Sequence, residues 1–211
     1  MSLIKLFAKL PIDLGQGNLR HKTKAKLIAF EYIPKSFSDA TALDLGCGDG
    51  YWSEKLKDLG YQTVSVDIKR EYPNVDFDQP YKGTIFLDID KKLPFPESSF
   101  DLTWCSEVIE HSENYKETLN EINRVLKPGG MYMITTPNSF FWLHYFLKLF
   151  GLSNKDWQNP GHQNFFNLKD VKKLFPNAEI RGYFPYLIFK FKIKYFISLL
   201  SPSFIIIGRK K

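Results

Sequence analysis

The chain has 211 residues, 44% of them hydrophobic, and a net charge of +6. That length fits one domain able to bury roughly 70% of its unfolded surface. Cys47 and Cys105 are the only cysteines, which excludes a disulfide scaffold and a cysteine-based zinc cluster, and no metal is expected.

The charge is unevenly spread. Residues 1–40 carry +4, residues 181–211 carry +7, and the stretch between them carries −5. Basic ends around an acidic middle suit an anionic substrate, a membrane surface or nucleic acid approaching the ends; the plain alternative is that the lysines are solvated faces. Residues 1–10 are interrupted by Lys5 and Lys9 and lack the apolar core of an export signal, and no stretch reaches the roughly 18 apolar residues of a membrane span. The expectation is a cytoplasmic protein, with a peripheral position at a membrane as its variant.

In chain order, Leu19 to Ile33 reads as a helix closed by the turn at 34–38, and 41–46 as a buried strand. A helix over 51–59 stops at Gly60, and strands follow at 62–66, 83–88 and 100–105. A helix at 113–126 leads to a strand at 130–136. The aromatic-rich stretch 140–150, stopped by Gly151, is helical in length and too apolar to face water all round. It reads as a lid, a partner surface or a membrane contact. Residues 188–196 alternate apolar side chains with Lys190, Lys192 and Lys194, as a half-wet strand or the start of an amphipathic helix would, and 203–208 reads as the last strand before a basic tail. Such alternation predicts an α/β fold: a doubly wound, mostly parallel sheet with helices on both faces, binding ligands at the carboxyl ends of its strands.

The first strand runs into Asp44-Leu-Gly-Cys-Gly-Asp-Gly50, with glycine at alternate positions. Glycines are wanted where backbone passes close under a ligand. Asp44 and Asp49 would repel a pyrophosphate but suit a ligand bearing an ammonium group and a sulfonium. A dinucleotide fingerprint needs glycine three residues after Gly48, and that residue is Tyr51. Twenty-one positions beyond Gly46, the second strand ends in Asp67, an acid placed to accept both ribose hydroxyls of a nucleoside.

These residues make the chain resemble the class I S-adenosylmethionine-dependent methyltransferases, in the small-molecule branch known as type 11. Residues 44–50 match the family's first motif. Asp88-Ile89, Leu93-Pro94-Phe95-Pro96, Ser99-Phe100-Asp101, Glu107-Val-Ile-Glu110-His111 and Leu126-Lys-Pro-Gly-Gly130 follow in the family's order, so that the resemblance covers residues 40–138. It implies a Rossmann-like sheet of seven strands and S-adenosyl-L-methionine as methyl donor, with S-adenosyl-L-homocysteine as product. By that resemblance Asp44, Leu45, Gly46, Cys47, Gly48 and Gly50 are expected to bind the cofactor: the glycines let backbone pass under the methionine part, Asp44 orients its amino group directly or through water, and Asp67 holds the ribose. Asp88 accepts from the adenine amino group, with Asp90 as substitute in a shifted register, while Ile68 and Ile89 pack near the ring. Cys105 and Ser106 contact the methionine end through backbone, the Cys105 thiol itself serving for packing. One domain is expected over 1–211: an N-terminal cap region to residue 40, a cofactor core at 41–138, a lid and acceptor region at 139–200, and a last strand and tail.

His111, with Glu107 and Glu110, is one candidate base and His162 a second; a structural hydrogen-bonded pair or turn stabiliser is the alternative for each. Methyl transfer from a sulfonium is a direct displacement and does not require a base. The preferred acceptor is a small molecule, hydrophobic or attached to lipid or glycan, with peripheral contact to anionic membrane. RNA or DNA is a second reading, against which the absence of a nucleic-acid module weighs. A non-catalytic S-adenosylmethionine-binding regulator is the third.

Overall fold

Strands buried on both faces need cover on both faces, and the burial of Thr41–Leu45 and Phe100–Ser106 is nearly continuous rather than alternating, with Asp44 and Thr103 buried among the apolar residues. In the computed structural model, which describes residues 23–36, 39–69, 81–149, 151, 161–186 and 189–211, these two strands lie side by side in the middle of one sheet. Its strands are β1 (Thr41–Leu45), β2 (Gln62–Asp67), β3 (Ile85–Phe86), β4 (Phe100–Ser106), β5 (Leu126–Pro137), β6 (Glu179–Tyr186), β7 (Phe189–Ile193) and β8 (Ser203–Arg209), in the spatial order β3-β2-β1-β4-β5-β8-β6-β7. The first five run parallel; β8 pairs antiparallel with β5 and with β6. Chain order reverses between β1 and β4, which opens a crevice at their carboxyl ends.

Helices α1 (Lys24–Phe30) and α2 (Tyr51–Asp58) cover one face. There Ala25, Ile28 and Ala29 of α1 and Trp52 and Leu56 of α2 pack on Ala42, Trp104 and Met133. Trp52 and Trp104 lie with ring centroids 5.0 Å apart. Truncating either ring would cost about 3–5 kcal/mol. On the opposite face, α3 (Tyr115–Val125) and α5 (Leu168–Leu174) set Ile122, Val125 and Val171 against Leu43, Leu45, Ile134 and Ile206. Two short helices, α4 (Trp142–Lys148) and α6 (Ile197–Leu200), complete the described elements.

Several expectations are corrected in detail. To seven strands the chain adds an eighth, β7, which forms a hairpin with β6 at the sheet edge. Its alternation is that of a strand only as far as Ile193; Phe196, in the left-handed region at φ 53°, then starts α6. The first helix ends at Phe30, because Ile33 already belongs to a turn, and its expected start at residues 19–22 lies outside the described residues. The third strand is only two residues long, and the fifth starts four residues early because the backbone from Leu126 pairs with Phe100 across a bulge. Helix α5 and strand β6 were not expected, and with them Val171, Phe175 and Tyr183 join the buried core. Arg209 belongs to β8, so the tail beyond the last strand is Lys210 and Lys211.

Candidate functional site

The carboxyl end of β1 is tied to that of β2: the N–H groups of Gly46 and Cys47 both donate to the Val66 carbonyl, at 2.8 and 3.0 Å. This forces the chain into a tight loop before α2, with Gly46 at φ 82° and Gly48 at φ 56°. A side chain at position 46 would strike Val108, whereas Gly48 is exposed and faces open space. Tyr81 closes the loop's far side, its ring standing where a Gly50 side chain would be.

Across the loop, Gly48 N–H donates to Asp67 Oδ2 at 2.7 Å and Ile68 N–H to Asp67 Oδ1 at 2.7 Å. The acid after the second strand is thus fixed in direct contact with the glycine loop. Leu87 N–H donates to the Asp67 carbonyl at 3.0 Å, which brings Asp88 and Ile89 to the same rim. Asp88 is half-exposed, and its carboxylate pairs with Lys91 at 3.0 Å, which together with the Asp90 backbone N–H holds it below its usual range. Asp90 is engaged elsewhere, accepting from Ser112, from the Glu113 N–H at 2.8 Å and from Thr118 at 3.1 Å. Its carboxylate therefore ties two loops together, and the adenine role foreseen as an alternative to Asp88 is not supported by this geometry.

Asp44 lies beneath the loop, 1% exposed. Ser53 Oγ donates to its Oδ2 at 2.6 Å and is itself bonded to Ser65 at 2.7 Å, while Oδ1 is buried without a hydrogen-bond partner. Burial pushes this carboxyl up to about 7. Lys26 of α1 is also buried and favours its ionised form electrostatically. The expectation that the basic residues near the chain start are solvated fails for Lys26, because α1 lays this position against the sheet. Ser53, Ser65 and Lys26 had no signal in the sequence; each depends on which residue the layers bring opposite Asp44.

From β4 the chain turns back over the loop. Cys105 is wholly buried, and burial pushes its thiol far up, in keeping with packing; Cys47 is likewise raised, to about 12. Ser106 Oγ lies 2.6 Å from Thr135 Oγ1, which donates to Glu107 Oε1 at 2.9 Å. Glu107 has φ 58°, a left-handed backbone held by its N–H bond to the Thr135 carbonyl, and Val108 beside it packs on Gly46. Backbone strain of this kind gathers at functional sites.

Glu110 is 1% exposed. Thr136 Oγ1 donates to its Oε2 at 3.1 Å, and Oε1 has no hydrogen-bond partner. Burial, with Glu107 beside it, raises its carboxyl well above the ordinary range. The two candidate histidines meet here: the rings of His111 and His162 stand 4.6 Å apart, edge to face. The residue that brings them together is Asn164. Its side chain donates to the Ile109 and Ser112 carbonyls at 3.1 and 2.6 Å, while the Gln163 and Asn164 N–H groups bond the Glu110 carbonyl. Nothing in the sequence marked Asn164, since its partners are more than fifty positions away. Burial and the neighbouring His111 lower His162 to about 4, so its imidazole is neutral near pH 7.

The 44–50 loop, Asp67, Ile68, Asp88, Ile89, Cys105, Ser106, His111 and His162 thus all lie towards the carboxyl ends of the parallel strands, with Asp44 and Cys105 buried beneath the surface. A family profile described as a methyltransferase domain matches residues 17–180. The chain is 24% identical over 159 residues to a probable S-adenosylmethionine-dependent methyltransferase of Mycolicibacterium smegmatis, covering 72% of this chain and 56% of that protein. With the demethylmenaquinone methyltransferase of Bacillus licheniformis it shares 28% identity over 183 residues, 76% of this chain and 78% of the other. The chain spans about half the length of the first curated relatives it matches. In fold it resembles a SAM-dependent methyltransferase from Archaeoglobus fulgidus, with a TM-score of 0.61 over 99% of this chain and 100% of that one at 16% identity.

Proposed function

The chain belongs to the class I S-adenosylmethionine-dependent methyltransferases of the type 11-like group, and on that premise we propose that it transfers a methyl group to a small hydrophobic or lipid- or glycan-linked acceptor. The observation that carries the cofactor reading is the Gly48–Asp67 contact. It sets a backbone-lined floor beside a carboxylate that keeps acceptor capacity for ribose hydroxyls, while the buried Oδ1 of Asp44 offers an acceptor to an ammonium group. Ile68 and Ile89, half-buried on the rim, would flank the adenine, with Asp88 accepting from its amino group.

In this reading the acceptor atom attacks the methyl carbon in line. The carbon–sulfur bond breaks with its electron pair on sulfur, and the sulfonium becomes the neutral thioether S-adenosylhomocysteine. Aligning two bound reactants can supply about 7–11 kcal/mol of the barrier, whereas a general base adds about 10²- to 10⁴-fold in rate. His162, lowered to about 4, would be a weak base, which leaves positioning as the main contribution.

The acceptor class rests on apolar side chains exposed on α4 and around α6. Tyr145 and Leu149 are 60% and 82% exposed, and Tyr195 and Phe196 both 74%, with the exposed Lys194 next to Tyr195 in the chain, while Lys192 is paired with Glu31. Exposed apolar groups of this size fit a lipidic acceptor better than a freely dissolved polar one. Among the described residues no helix is long and apolar enough to cross a membrane. Incubation with methyl-labelled S-adenosylmethionine and cell extract split into lipid, glycan, small-molecule and nucleic-acid fractions tests the proposal. Label in the lipid or glycan fraction is expected, and label in nucleic acid alone would overturn the acceptor class.

A further inference from the structure

We infer that Glu110, His111 and His162 form a binding site for one divalent transition-metal cation on the acceptor side of the cleft. Each residue offers a ligand atom, and the three atoms lie within 4.8 Å of one another, a spacing that one ion can bridge. His111 Nδ1 stands 2.9 Å from the Gly161 carbonyl oxygen. That bond makes Nδ1 the protonated nitrogen and puts the lone pair on Nε2, the arrangement by which proteins orient a metal-binding imidazole.

An independent observation points the same way. Glu110 Oε1 is buried with no hydrogen-bond donor, although a buried carboxylate oxygen ordinarily has one. A divalent cation would supply the missing partner. Two imidazoles and one carboxylate select first-row transition metals over calcium or magnesium, and three protein ligands leave positions for an exogenous oxygen.

Val108, two residues before Glu110, packs on Gly46 and so ties the turn that carries this cluster to the glycine loop. Resting on the methyltransferase reading above, the cation would bind an acceptor hydroxyl and release its proton to solvent. The resulting oxygen anion then forms the bond to the methyl carbon as the carbon–sulfur bond breaks, giving an ether and a thioether.

The test is metal content and spectrum. Protein stripped with chelator and dialysed against zinc sulfate is expected to retain about one zinc per chain by mass spectrometry, and titration with cobalt(II) to give a saturable visible spectrum. Glu110→Gln, His162→Ala and the milder His162→Asn should each weaken cobalt binding by about tenfold or more. Wild-type protein that retains no stoichiometric zinc, or a His162→Asn variant with the wild-type cobalt titration, overturns the inference. Calorimetry of S-adenosylhomocysteine binding to wild-type protein in excess chelator separates the two readings. Nucleoside binding without metal binding sinks the cation site alone, and its loss together with intact metal binding sinks the cofactor reading instead.

Discussion

Val108 occupies the space that a side chain at position 46 would need: a Cβ on Gly46 would lie 2.4 Å from Val108 Cγ2. The loop after β1 and the turn after β4 are therefore packed against each other with no spare volume, at the point where chain order in the sheet reverses. Gly46→Ala should destabilise the protein by about 2–4 kcal/mol, combining this overlap with the cost of a side chain at φ 82°. Adding Val108→Ala should return only the steric part. Urea unfolding of the wild type and these two variants checks this, and full recovery in the double variant would show that the backbone conformation costs nothing.

Gly48 gives the opposite case. No atom lies within 4 Å of a Cβ built there, so Gly48→Val should cost only the about 1–2 kcal/mol of an L residue in the left-handed region. Its side chain would stand in the cofactor's path, and S-adenosylhomocysteine affinity should fall by two orders of magnitude or more, about 3 kcal/mol. Unchanged affinity by calorimetry would mean that the ligand does not cross this loop.

The contrast between these two glycines shows what the sequence discloses. The loop, its flanking strand and Asp67 were readable because spacing and an apolar run are local properties. β8 was readable for the same reason. α5 was overlooked although Asn167 and Asp170 carry the reciprocal capping pattern that starts it, with the Asn167 side chain accepting from the Asp170 N–H at 3.0 Å. The packing of Val108 on Gly46, of Tyr81 on Gly50 and the Asn164 clamp on the 109–112 turn could not be read, since each joins segments whose approach is set by the sheet order. The same holds for Lys26, a helix lysine that only its burial marks as different from a solvated one.

Asp44 sets a pH dependence with a definite sign. Its folded value, about 7, lies above the ordinary aspartate value of 3.8, so between these pH values the native state holds a proton that the unfolded chain has released. Stability therefore falls as pH rises through this window. The penalty is absent below about 3.8, complete above about 7, and at most on the order of 4 kcal/mol. Asp44→Asn, which keeps an acceptor for Ser53, should be more stable than wild type at pH 8, with the gain shrinking towards pH 5. The same substitution should weaken S-adenosylhomocysteine at pH 8. Denaturant melts at both pH values check the first statement, and equal stability at pH 8 would contradict it.

The exposed aromatic and leucine side chains on α4 and around α6 should give binding to anionic vesicles at low ionic strength that declines with salt. Replacing Tyr195, Phe196 and Leu199 together by serine should reduce cosedimentation by about tenfold, since burying such side chains in lipid contributes about 1.5–3 kcal/mol each before losses. No sedimentation of the wild-type protein would remove the membrane-associated acceptor.

The measurement that bears most directly on the central claim is calorimetric titration of S-adenosylhomocysteine into the wild-type protein and into Asp67→Ala. Saturable binding of one molecule per chain is predicted, weakened at least tenfold, about 1.4 kcal/mol, when the carboxylate held by Gly48 is removed. Absence of saturable binding to the wild type, or equal affinity in the two proteins, would contradict it.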